Sequence, residues 1–133
     1  MITDIRSLIP KDDIPPLNTD QVEVLATLDE DNPVEMVQDL MGTYLGEWNR
    51  VKEELRSACE TKNTKEMKRV NHFISGSSSN MGLLRVSILC RAIEAAVDDN
   101  QFDAYEGCLE AVIKENNRCI EAMNQYLGQL SSR

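Results

Sequence analysis

The sequence predicts an all-α protein, an antiparallel up-and-down four-helix bundle with a short extra N-terminal helix, and three observations predict it. Apolar residues recur at steps of three and four through four long segments, the period of a helix with one buried face. Hydrophobic residues make up 41% of the chain but aromatics only 5%, so Leu, Ile, Val, Met and Ala must fill the core, a mixture that suits helices better than sheets. The segments are joined by short polar breaks, and short links force neighbouring helices to run in opposite directions.

The elements follow in order. Residues 1–17 hold three of the four prolines, Pro10, Pro15 and Pro16, and are expected to form an extended, partly docked N-terminal arm; residues 18–133 form the bundle domain. Thr19 and Asp20 offer caps for a short helix running to about Leu28, with Val22, Leu25 and Leu28 on one face. The break DEDN ends it, and Pro33 suits the first turn of the next helix. That helix carries Val37, Leu40, Met41, Tyr44, Leu45, Trp48, Val51 and Leu55 at steps of three and four and ends near Lys62. Asn63 or Thr64 caps a third helix, which Gly82 closes. A fourth carries Val86, Leu89, Cys90, Ile93 and Val97 and stops at Asp98-Asp99-Asn100. The fifth is expected from Phe102 and Tyr105 through Leu130.

Bulk properties narrow the function. A formal charge of -9 argues against nucleic acid, whose phosphates the protein's field would repel. Any site that receives a phosphate-like group must therefore supply positive charge locally. No apolar run approaches the length of a membrane span, and no signal segment opens the chain, so an intracellular soluble protein is expected. The four cysteines, Cys59, Cys90, Cys108 and Cys119, contain no C-x-x-C pair, and the single histidine cannot complete a zinc site with them. They are read as free, mostly buried thiols, and no metal or cofactor of the chain's own is expected.

That single histidine, His72, is the residue with chemistry in it. At about 100° per residue, Met67, Val70, Ile74, Ser77, Ser78 and Met81 share one side of the third helix and His72 points nearly the opposite way. A surface histidine is ordinarily a solvated polar residue. Gly76, however, lies one turn on along the same face, where glycine costs about 1 kcal/mol relative to alanine; a bare strip of backbone beside an imidazole lets another macromolecule approach the ring. Ser77 and Ser78 turn inward, where small side chains allow close helix packing and their hydroxyls bond carbonyls one turn back.

The run His72-Phe73-Ile74-Ser75-Gly76-Ser77-Ser78-Ser79-Asn80-Met81-Gly82 resembles the H-x-L-K-G-S-S-x-x-x-G signature of histidine phosphotransfer domains, especially stand-alone yeast-type and plant-type proteins. The resemblance implies a phosphocarrier rather than an enzyme. His72 would accept a phosphoryl group from the receiver domain of a hybrid sensor kinase and pass it to the receiver domain of a response regulator, while the receivers supply Mg²⁺ and the catalytic machinery. Gly76 would open access to His72, with Ser77 and Ser78 packing beneath and Gly82 closing the motif. It also implies a location in the cytoplasm with access to the nucleus, and a bundle complete within one chain is expected to be a monomer. One position departs from the pattern: Ser75 stands where the family has a lysine that helps neutralise the phosphoryl group. Lys68 and Arg69, four and three residues before His72, are the expected substitutes, because helical side chains lean toward the N-terminus.

A docking surface is expected as well. Val22, Leu25 and Leu28 on the first helix, with Met36 and Leu40 on the second and Phe73 beside the histidine, could form an apolar patch for receivers; the alternative is that most of them close the bundle's end. Two rival functions stand beside the carrier: an adaptor that binds receivers without carrying phosphate, raised by Ser75, and a serine hydrolase, opposed because Ser77 and Ser78 face inward while His72 faces out.

Overall fold

Asparagine and proline set where the helices start. In the computed structural model, which describes residues 1–132, the helices are α1 (Thr19–Ala26), α2 (Pro33–Thr61), α3 (Thr64–Asn80), α4 (Leu84–Asp98) and α5 (Cys108–Ser131). Asn18 caps α1 by accepting from the Gln21 amide at 3.3 Å, and Asn63 caps α3 by accepting from the Glu66 amide at 3.1 Å. Asn18, rather than Thr19 or Asp20, is therefore the first cap, and the helix it starts ends short of Leu28. Pro33 occupies the first turn of α2, where its missing N–H has no intrahelical partner to lose.

Helices α2 to α5 form the antiparallel four-helix bundle, closed into a ring by the contacts α2–α3, α3–α4, α4–α5 and α5–α2, and α1 is the short extra helix packed on α2. No described helix is long and apolar enough to cross a membrane. Leu55, Met67, Val70, Leu89, Ile93, Val112 and Met123 fill the core with almost no exposure, as the scarcity of aromatics requires. Of the cysteines, Cys90, Cys108 and Cys119 are buried and Cys59 half-buried, all of them free thiols. Burial pushes the Cys90 thiol up, whereas hydrogen bonding with Cys108 lowers that of Cys59.

The expected start of the fifth helix is corrected as well. The fifth helix does not begin at Phe102: Gly107, at φ 77°, precedes its first residue Cys108. Residues 102–107 are held by the N-terminus instead. Ile2 accepts from the Asp103 amide at 2.7 Å and donates to the Gln101 carbonyl at 2.6 Å, while the Phe102 and Tyr105 rings meet edge to face at 5.0 Å. The N-terminal arm packs on the bundle at several points along its length. Ile5, in a short 3-10 turn (Ile5–Ser7), and Leu17 are buried.

The arm is fastened by Arg85, whose side chain on α4 is 1% exposed. Its Nε donates to Glu115 Oε2 on α5 at 2.6 Å, and Nη2 donates to Glu115 Oε1 at 3.2 Å. The remaining donors reach the arm: Nη1 donates to the carbonyls of Lys11 at 2.7 Å and Ile14 at 2.9 Å, and Nη2 to that of Pro10 at 2.8 Å. A buried guanidinium is tolerable only when its donors are satisfied and its charge is matched, and here one carboxylate and three carbonyls do both.

The turn between α3 and α4 depends on Gly82, at φ +77°. Its amide donates to the Ser79 carbonyl at 3.0 Å and the Leu83 amide to that of Ser78 at 2.9 Å, the paired bonds of a left-handed helix closure. A Cβ on Gly82 would lie 2.9 Å from both the Asn18 carbonyl oxygen and Val22 Cγ2, so α1 packs directly on the turn.

Two stability predictions rest on these contacts. Glu115→Ala leaves the Arg85 charge buried without a partner and should cost about 3–5 kcal/mol in urea denaturation; a loss near that of an exposed ion pair, below about 1 kcal/mol, would show that water reaches the guanidinium. Gly82→Ala should cost about 2 kcal/mol from backbone conformation alone, more as the Asn18 carbonyl is displaced, and would lower the thermal midpoint accordingly.

Candidate functional site

His72 sits in the middle of α3 with its side chain 76% exposed. Its Nδ1 lies 2.9 Å from Glu94 Oε1 and 3.2 Å from Oε2, across the groove on α4. A carboxylate accepts, so Nδ1 is the nitrogen that carries the proton, and the lone pair of a neutral ring is left on Nε2. The same bond holds the ring in one orientation, as second partners do for working histidines elsewhere.

The groove around the ring is an open cleft of about 440 Å³ between α3 and α4, lined by His72, Ser75 and Gly76 on one wall and Arg91, Glu94 and Asp98 on the other. The two helices run in one antiparallel register: Lys68 Nζ donates to Asp98 Oδ1 at 2.6 Å, His72 meets Glu94, and Ser75 stands opposite Arg91. Ser75 is buried, and its hydroxyl donates to the His72 carbonyl at 3.0 Å. A Cβ built on Gly76 meets nothing within 4 Å, so helix packing does not demand the glycine.

The structure separates the remaining predicted residues. Lys68 is held by Asp98, which keeps its ammonium more firmly protonated than usual. Arg69 bonds Glu66 at 2.7 Å and Glu54 at 3.3 Å, and those carboxylates raise its basicity. Both expected substitute cations are therefore matched by carboxylates, and neither contacts the imidazole. Ser78 is buried and donates to the Ile74 carbonyl at 2.5 Å, whereas Ser77 is only half-buried and donates to Phe73 at 2.6 Å; it lies at the edge of the core rather than inside it.

The predicted docking patch divides in the same way. Val22 is fully buried against the Gly82 turn and belongs to the core. Leu25, Met36 and Leu40 are half-buried, Leu28 is exposed, and Val24, not singled out from the sequence, is exposed beside it. Phe73 is exposed with the Arg50 guanidinium 5.6 Å above its ring. Leu40 lines the α2–α3 groove with Ser77 and Asn80, on the side of α3 away from the α3–α4 cleft that holds His72.

Sequence reasoning missed Glu94 and Arg91. Both are on α4, and only an antiparallel pairing through the Gly82 turn brings them to His72; the polar stripe Arg91, Glu94, Asp98, at steps of three and four, was the one signal that pointed to them.

An exposed, oriented imidazole on a rigid helical bundle, without an enclosed substrate pocket around it, defines a nucleophile presented to another macromolecule. A family model described as Hpt domain matches residues 39–132, and the chain belongs to that family of histidine phosphotransfer domains. Domains of this family are phosphocarriers rather than catalytic enzymes and interact with receiver domains, which supports a phosphotransfer role in two-component signalling. No curated protein and no solved structure matches the chain.

Gly76 offers a test that separates access from stability. Gly76→Ala should stabilise the fold by about 0.5–1 kcal/mol, since it replaces glycine within a helix. Gly76→Gln should leave the melting temperature no lower yet slow phosphoryl transfer from a receiver severely; unfolding by either variant would instead mean that the glycine is needed for packing.

Proposed function

We propose that the protein is a monomeric, stand-alone eukaryotic-type relay carrier of the cytoplasm and nucleus, taking a phosphoryl group from the receiver of a hybrid kinase onto His72 and delivering it to a response-regulator receiver. The observation that carries this reading is the His72–Glu94 bond, which in the neutral ring assigns the proton to Nδ1 and the lone pair to Nε2, on an exposed side chain in a cleft open to a partner. Nε2 attacks phosphorus in line with the aspartyl oxygen; the N–P bond forms, the acyl P–O bond breaks, and the receiver's carboxylate leaves with the electron pair. The positive charge that develops on the imidazole is matched by Glu94, toward which the Nδ1 proton points. Delivery reverses each step. Leu28, Val24 and Phe73 supply exposed apolar surface of the kind that docks a partner, with Leu25, Met36 and Leu40 half-buried alongside.

Ser75 favours a second reading, an adaptor that binds receivers without carrying phosphate. Incubating the protein with a phosphorylated receiver domain decides between them. The carrier takes acid-labile, alkali-stable phosphate that His72→Gln lacks, whereas receiver binding without label on the wild type would establish the adaptor.

A further inference from the structure

A phosphoryl group on Nε2 of His72 would bring up to two negative charges into a protein of formal charge -9. The cleft that must hold it already contains two carboxylates, Glu94 and Asp98, besides the cations Lys68 and Arg91. Asp98 answers the Lys68 charge at 2.6 Å, and Glu94 is turned to the imidazole. Arg91 is exposed, lines the same cleft and has no ion pair or hydrogen bond among the described residues. An exposed arginine is ordinarily a solvated surface residue. Here two further observations apply. The α3–α4 register sets Arg91 opposite Ser75, one turn from His72, and Ser75 is short and turned onto the His72 carbonyl, which leaves the space between Arg91 and the imidazole empty.

We propose that Arg91 is the phosphoryl-binding catalytic residue of this carrier. Its guanidinium reaches across the cleft and donates to oxygens of the group in transit between the receiver aspartate and Nε2. Arginine suits this role because its planar fork bonds two phosphate oxygens at once and keeps its charge at any working pH. The step remains the displacement given above, with no added reactant: Arg91 neutralises charge while the N–P bond forms and the P–O bond breaks. The proposal rests on His72 being the phosphoacceptor.

Four variants test it: Arg91→Ala, Arg91→Lys, the double variant Ser75→Lys/Arg91→Ala, and His72→Gln. The donor is a receiver domain charged with acetyl phosphate and Mg²⁺, and receiver affinity is measured separately by calorimetry. Arg91→Ala should slow transfer at saturating receiver about tenfold or more with affinity and melting temperature little changed. Arg91→Lys should keep most of the rate, and the double variant should recover it, since a lysine at position 75 delivers a cation to the same space from the opposite wall. In ³¹P NMR of protein charged with phosphoramidate, the titration of the phosphohistidine signal should move to higher pH in Arg91→Ala and return in the double variant. An unchanged rate in Arg91→Ala overturns the proposal while leaving the carrier intact. So does a loss of rate that follows a loss of affinity, which would make Arg91 a docking residue, or one that the lysine fails to restore. Absence of label on the wild type, as on His72→Gln, overturns the carrier reading and the proposal together.

Discussion

Arg85 is a charge that the bundle could not bury alone. Its ion pair with Glu115 joins α4 to α5, and its three bonds to the carbonyls of Pro10, Lys11 and Ile14 bring the N-terminal arm across both. The neighbouring bonds repeat that constraint: the Leu84 amide donates to Pro16 at 2.8 Å, and the Asn18 amide to Gly82 at 2.8 Å. The first turn of α4 is thus held from three sides within a few residues of Gly82. Since α3 ends at the same turn, the register between α3 and α4 is set there, and every pairing along the cleft follows from it. A slip of one residue in that register would turn Glu94 away from His72 and Arg91 away from Ser75 together.

Helix α3 separates two kinds of polar side chain by direction. Ser75 and Ser78 turn inward and bond carbonyls of their own helix, which satisfies their hydroxyls without any partner from outside. His72 turns outward, where its partner is a carboxylate on another helix. The division explains why the serines are poor nucleophile candidates: Ser78 already donates to a carbonyl inside the core and has neither access nor activation, and Ser75, although it lines the cleft, has its hydroxyl committed to the His72 carbonyl. It also explains why the hydrolase reading has no geometric support. The histidine is exposed, oriented and adjacent to open backbone, whereas the serines are committed to the helix that carries it.

Much of the fold was legible because the helical period is long in this chain. α2, α3 and α4 fall where Val37 to Leu55, Met67 to Met81 and Val86 to Val97 place them. Where the expectation failed, a contact distant in sequence had decided the outcome. Phe102 and Tyr105 continue the apolar period of α5, yet Ile2 pairs with the backbone on both sides of Phe102, and the helix starts only after Gly107. Val22, Leu25 and Leu28 share a face by spacing, but spacing does not say which of them the Gly82 turn covers; Val22 is covered and Leu28 is not. His72 and Gly76 were legible as an exposed pair on one helix. Their partners were not, because Glu94 and Arg91 belong to another helix, and the acids that engage Lys68 and Arg69 include Asp98 on α4 and Glu54 on α2.

The acidity of the protein gives these pairings a functional meaning. A net charge of -9 favours association with basic surfaces but opposes the transfer of an anionic group onto the same molecule. Screening removes most of that opposition beyond about 10 Å at ordinary ionic strength, so charges within the cleft decide how a phosphoryl group is received. Glu94 serves the imidazole, and its negative charge is useful only while the ring is becoming positive. Asp98 and Lys68 cancel each other. A carrier must also release what it accepts, and a deep, fully paired cationic pocket would hold the phosphoryl group too firmly to pass it on. A shallow cleft with an exposed arginine at its edge, unpaired among the described residues, suits reversible transfer. Such a cation compensates charge as the group crosses between donor and acceptor, and water competes for the same donors once the group has arrived.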